Sequence, residues 1–120
     1  MAALLPSEVL AKAADLIEPE GRWIQGAYAK DAVGEEVYPP SGDAVCFCTY
    51  GALYMASGRP REMRDAEHGP AAYYLRRAIG RELQRYGRRL DKWNDRRDRT
   101  QAEVVAALRK AADLARSEGQ

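Results

Sequence analysis

Apolar residues first fall into a regular pattern at Val9, Leu10, Ala13, Leu16 and Ile17, which recur at spacings of three and four between Ser7 and the helix breakers Pro19 and Gly21. That spacing predicts an amphipathic helix over residues 8–18, with Ser7 as a cap-type residue ahead of it. Residues 23–28 and 35–38 are rich in aromatic and β-branched types and flank Asp31-Ala32-Val33-Gly34, which predicts a short β-hairpin closed off by Pro39 and Pro40. Residues 44–57 are apolar on nearly every face, so they predict a central helix buried on all sides, with Ser41 or Asp43 as cap and Gly58 after its end. The charged, turn-forming residues 58–69 predict an exposed, mobile loop.

Pro70 suits the first turn of a third helix, in which Ala72, Leu75, Ile79, Leu83 and Tyr86 share a face and Gly87 is the C-cap. A connector over residues 88–99 leads to Thr100-Gln101-Ala102-Glu103, a capping box that opens a last helix over 101–117. The pentapeptide Lys12-Ala13-Ala14-Asp15-Leu16 recurs as Lys110-Ala111-Ala112-Asp113-Leu114. The flanks do not extend this echo, so it reads as two helices with small faces that pack close to the central one. The expected fold is mainly α (α+β), with four helices around a buried central helix and one short β-hairpin. A length of 120 residues suits a single domain over 1–120.

Composition narrows the functional classes. With 46% hydrophobic and 31% charged residues the chain is globular rather than disordered, fibrous or stapled by disulfides. A net charge of +1 recommends neither nucleic acid nor an anionic membrane as a partner, and no apolar run approaches the roughly 20 residues needed to span a bilayer. The total conceals an asymmetry: up to Gly58 there are 3 Lys+Arg against 8 Asp+Glu, and beyond it 16 against 10. Cys46 and Cys48 are too close in sequence for an unstrained disulfide, and two reduced thiols without a basic leader segment fit a cytoplasmic protein. His68 is the one histidine, and no metal-ligand spacing, phosphate-binding glycine loop or nucleophile elbow is present. No cofactor and no metal are expected.

Three places could carry chemistry. Near the start of the central helix, backbone N–H groups and the helix dipole would favour a Cys48 thiolate, and His68 with Asp95 could complete a cysteine hydrolase or transferase set. On the predicted third helix Arg77, Arg81, Arg85 and Arg88 recur at four, four and three, forming a stripe that Arg96 and Arg97 extend. Such a stripe suits an acidic protein surface or a phosphate backbone. The third place is the cluster Trp93-Asn94-Asp95 with Arg99 and Thr100, whose side chains can close turns and anchor the last helix. Gly51 needs a reason, since glycine within a helix costs about 1 kcal/mol relative to alanine. A small face there would admit a ring such as Trp23 or Trp93.

Several of these pieces recur together elsewhere. Gly21-Arg22-Trp23 after the first helix, Gln25-Gly26-Ala27, Phe47-Cys48-Thr49-Tyr50-Gly51-Ala52, then Trp93-Asn94-Asp95 and Arg99-Thr100 before an Ala-rich helix resemble a family of small bacterial and phage proteins of unknown function. The resemblance implies a bacterial or phage origin and supplies no catalytic residues. The leading expectation is a non-enzymatic module that docks on a protein complex through the arginine face. The Cys48 enzyme and a nucleic-acid binder using the same stripe are the alternatives.

Overall fold

In a computed structural model that describes residues 4–58 and 62–120, the chain runs α1 (Pro6–Ile17), β1 (Ala29–Lys30), β2 (Cys46–Phe47), α2 (Thr49–Ala56), α3 (Met63–Glu67), α4 (Pro70–Ile79), a 3-10 segment (Gly80–Tyr86), α5 (Leu90–Asn94) and α6 (Gln101–Ser117). The fold is mainly α with a small β part, as expected. Among the described residues its helices are more numerous than the four predicted; the central helix starts later and the predicted third helix is broken.

Each departure has a local cause. The first helix starts two residues early because Pro6 presets the helical φ and the Glu8 carboxylate accepts the Leu5 N–H at 3.0 Å, while Ser7 is buried rather than capping. The turn at Asp31 forms, with Asp31 Oδ1 accepting from the N–H groups of Val33 and Glu35. Its returning arm, however, supplies only a single bridge, between Lys30 and Glu36. The strand partner of Ala29–Lys30 is instead Cys46–Phe47, antiparallel with Ala29 opposite Phe47. Those two residues were predicted to be helical. Phe47 donates its N–H to Arg22 O at 2.8 Å and accepts from Ile24 N–H, which draws it into the sheet. The central helix therefore begins only at Thr49, with Cys48 as its N-cap, and apart from Met55 it is buried on all sides as predicted.

Part of the predicted exposed loop is the helix α3, held down by buried Met63 and Ala66; residues 59–61 of that loop lie outside the described residues. The predicted third helix breaks at Gly80, whose φ of 73° no helical residue can hold. Beyond the break Leu83 is fully buried, and Gly87 closes the 3-10 segment in the left-handed conformation, the C-cap role expected of it. The last helix begins at Gln101 as predicted, with Glu103 N–H donating to Thr100 Oγ1 and Thr100 N–H donating to the Glu103 carboxylate.

The most extensive helix contact joins α1 to α6; α1 also packs on α2, and α4 on α6. Ala13 and Ala14 of α1 and Ala111, Ala112 and Ala115 of α6 are all buried, so the small faces do allow close packing. For α6 the neighbours are α1 and α4 rather than the central helix. Gln101 fixes the join from one end, donating its Nε2 hydrogens among the carbonyls of Ile17, Glu18 and Pro19 at the end of α1. Among the described residues no helix is long and apolar enough to cross a membrane.

Candidate functional site: a basic groove beside a buried polar knot

Asn94 ends α5 and is fully buried. Its Oδ1 accepts from Trp23 Nε1 (2.7 Å), Thr49 N–H (3.0 Å) and Thr49 Oγ1 (2.6 Å), while its Nδ2 donates to Ile24 O (3.1 Å) and to Asp95 Oδ1 (2.9 Å). Only a side-chain amide offers an acceptor and a two-hydrogen donor on one carbon, so few residue types could replace it. Gln25 and Gly26 stitch the facing segment to the same place. Gln25 Nε2 donates to the carbonyls of Asn94 and Arg96, and Gly26 N–H donates to Asp95 Oδ1. From sequence the anchor is Trp93, Asn94, Asp95, Arg99 and Thr100, and Trp23 is a ring for the small face at Gly51; the structure adds Trp23 and Gln25 to the knot, both bonded to Asn94 about 70 residues away.

Arg99 is the second buried element of the knot. Its guanidinium lies 4.3 Å from the Trp93 ring centroid, donates Nε–H to Trp93 O at 3.0 Å, and pairs with Glu82 at 2.9 Å and Glu103 at 3.1 Å. Trp93 Nε1 has no hydrogen-bond partner among the described residues. Neither indole covers Gly51. That glycine sits in the first turn of α2 against the Tyr28 carbonyl, where an added Cβ would clash with the oxygen.

Cys48 and Asp95, two members of the candidate catalytic set, line one cleft of about 260 Å³ together with Tyr28, Glu36 and Asp91. His68 is not among the residues lining it; it is exposed at the C-cap of α3. Burial pushes the Cys48 thiol up to about 11, the nearby Asp95 and Asp91 carboxylates add to the rise, and the N–H groups of Gly51 and Tyr50 offset only part of it. The helix start therefore does not yield the thiolate expected from sequence. Tyr28 is likewise raised to about 12 by burial and by the Glu67 carboxylate its hydroxyl donates to. Thiol and phenol are both neutral at pH 7, and Asp91 is already held by Arg89 at 2.7 Å.

The arginines do not form one stripe, because the helix that would carry it breaks at Gly80. Arg77 is committed: it makes two bonds to Glu118, at 2.8 and 2.6 Å, and lies over the rings of Tyr73 and Tyr74. The same bonds lower the Glu118 carboxyl below its usual range. Beyond the break, Arg81 and Arg85 project from the 3-10 segment into a shallow groove of about 490 Å³ that they share with Glu82, Arg96 and Glu103. Arg96 pairs with Asp98 at 2.7 Å and more loosely with Glu82 at 3.7 Å. Arg88 and Arg97 are exposed but are not among the residues lining the groove. Arg88 holds a left-handed φ of 63°, kept in place by its N–H bond to Leu83 O and by Arg76 Nε, which donates to its carbonyl. Among the described residues Arg81, Arg85, Arg88 and Arg97 make no ion pair.

Fold and site together define a small, mainly helical protein with an amide-centred knot inside and a basic groove outside. Residues 1–114 match the group described as "Family of unknown function (DUF6197)", and the chain belongs to that family. No curated protein and no solved structure matches it.

Proposed function

We propose that this protein is a non-enzymatic interaction module of bacterial or phage origin, a single cytoplasmic domain that docks on an acidic face of a protein complex through Arg81, Arg85, Arg88, Arg96 and Arg97. The observation that carries the reading is that four of these exposed guanidiniums have no carboxylate partner among the described residues, in a chain with 18 Asp+Glu to supply them. Planar guanidinium forks match carboxylates in pairs, so unpartnered arginines on a held segment offer binding capacity at little ordering cost. Arg77 leaves the surface proposed from sequence, because Glu118 already occupies it. The neutral Cys48 thiol, in a cleft not lined by an imidazole, supports binding over catalysis.

The test is affinity capture from extract of the source cells, comparing the wild-type protein with Arg81→Glu/Arg85→Glu and with Lys110→Glu, a charge reversal on the exposed face of α6. The expected result is a set of acidic proteins retained by wild type and Lys110→Glu and lost from the double variant. Identical captured sets from all three would overturn the proposal.

A further inference from the structure

We propose that the cleft over Cys48 binds an alkylguanidinium, with the planar cation held by Glu36 and Asp95 and the alkyl stem lying along the adjoining hollow beside Tyr38.

The charged lining of the cleft has one sign. Glu36, Asp91 and Asp95 line its volume of about 260 Å³, and no lysine, arginine or histidine does. In the groove beside the 3-10 segment, by contrast, arginines and glutamates share the lining. Arg89 takes both oxygens of Asp91. Asp95 uses Oδ1 for the Gly26 N–H and the Asn94 amide, and its Oδ2 has no partner among the described residues. The Glu36 carboxylate has no ion pair among the described residues.

The floor of the cleft is a separate observation. Cys48 is 4% exposed and lines the cleft, its Sγ accepts the Gly51 N–H at 3.4 Å, and its own hydrogen reaches no acceptor among the described residues. A neutral sulfur so placed keeps a lone pair for an N–H of a ligand.

Shape selects the kind of cation. Among the described residues no group of three or more acidic, histidine or cysteine side chains could hold a metal ion, so the carboxylates suit a cation whose donors are spread out. A guanidinium presents five N–H donors in one plane, enough for two carboxylates and a sulfur together. Tyr28 lines the cleft beside the acids, its hydroxyl fixed on Glu67 at 2.8 Å, and an aromatic wall attracts a planar, weakly hydrated cation. Tyr28 and Glu36 also line a second hollow of about 280 Å³ with Val37 and Tyr38, which offers apolar surface to an alkyl stem.

The experiment is an NMR titration of the full chain at low salt, following the amide signals of Gly26, Ala27 and Tyr28. The probes are n-butylguanidinium, its neutral analogue n-butylurea, and an end-capped Ala-Arg-Ala tripeptide. The expected result is a saturable shift with butylguanidinium and none with butylurea. Affinity should fall at least about fivefold at high salt and in Glu36→Gln/Asp95→Asn. The new amide at position 95 keeps an oxygen for Gly26 and Asn94, so the fingerprint of the folded protein should persist. Tyr28→Leu should bind about threefold more weakly than Tyr28→Phe, which keeps the ring. Tighter binding of the tripeptide than of butylguanidinium would assign the site to an arginine side chain of a partner, and equal or weaker binding to a free small molecule. No saturable shift with butylguanidinium, equal binding of butylurea, or undiminished affinity in Glu36→Gln/Asp95→Asn or in Tyr28→Leu would each overturn the inference.

Discussion

Asn94 and Arg81 lie in neighbouring stretches of the same chain, and both are polar. Around Asn94 the amide's acceptor and donor are each met by protein groups within 3.1 Å, and the residue has no contact with solvent. Around Arg81 and Arg85 two guanidiniums face solvent with no partner among the described residues. Burial explains the difference. A polar group taken out of water must be bonded or it costs about 1–3 kcal/mol, whereas a charge left in water costs nothing by being unpaired. Bonding of the Asn94 amide is thus a condition of the fold, even though the buried Trp93 indole N–H beside it finds no partner among the described residues, and open bonding capacity outside is free to serve a partner.

The sharpest way to break this contrast is Asn94→Ala, which strands Thr49 N–H, the Trp23 indole and the Ile24 carbonyl in a dry site. Urea unfolding should show a loss of at least about 3 kcal/mol, the scale of several buried unsatisfied groups. A loss under 1 kcal/mol would mean that water replaces the amide and the knot is dispensable. Next in size is Gly51→Ala. Helix propensity favours alanine by about 1 kcal/mol, yet the methyl group would meet the Tyr28 carbonyl, so a net destabilisation of about 1–3 kcal/mol is expected. A stabilised variant would show that the two segments separate at little cost.

A smaller effect comes from the thiol at the cleft beside the knot. Cys48 has a folded value of about 11 against an ordinary 9.0, so the stability linked to it is complete below pH 9 and is lost as pH rises through about 11. In a Cys46→Ala background, alkylation of Cys48 at pH 7 to 8 should be far slower than that of a free thiol, and rapid labelling there would return the cleft to the list of reactive sites. Smallest of all is the stability change of Arg81→Glu/Arg85→Glu, expected within about 0.5 kcal/mol because the pair bonds to nothing in the fold. A large drop would place these arginines with the knot rather than opposite it.

What could be read from sequence follows the range of the interactions. Thr100 and Glu103 lie three residues apart and fold on themselves, so the start of α6 was legible from the chain alone. Gly87 as a cap was legible for the same reason. Phe47 and Cys46 read as helical because their neighbours do, and only Arg22, Ile24 and Lys30, brought in from earlier in the chain, turn them into a strand. The arginine periodicity is real in sequence, but the helix expected to carry it ends at Gly80. The cluster Trp93-Asn94-Asp95 stands out in sequence by its polar side chains, while the residues that bond to Asn94, Trp23 and Gln25, could not be matched to it without the fold. For Cys48, position along the helix predicted one sign of shift and depth within the protein imposed the other.

The hold that Gln101 takes on the end of α1 has a bearing on how the chain reaches its native state. The two ends of that contact are 84 residues apart, and the α1 and α6 faces behind it are equally remote in sequence. A 12-residue helix such as α1 is marginal on its own in water, so it depends on packing, and its most extensive contact comes only when α6 arrives. Although rich in helix, the protein should therefore fold more slowly than bundles assembled from neighbouring turns, since a long loop must close before its largest interface forms. A chain released before α6 is made would keep open to the solvent the part of α1's apolar stripe that α6 covers.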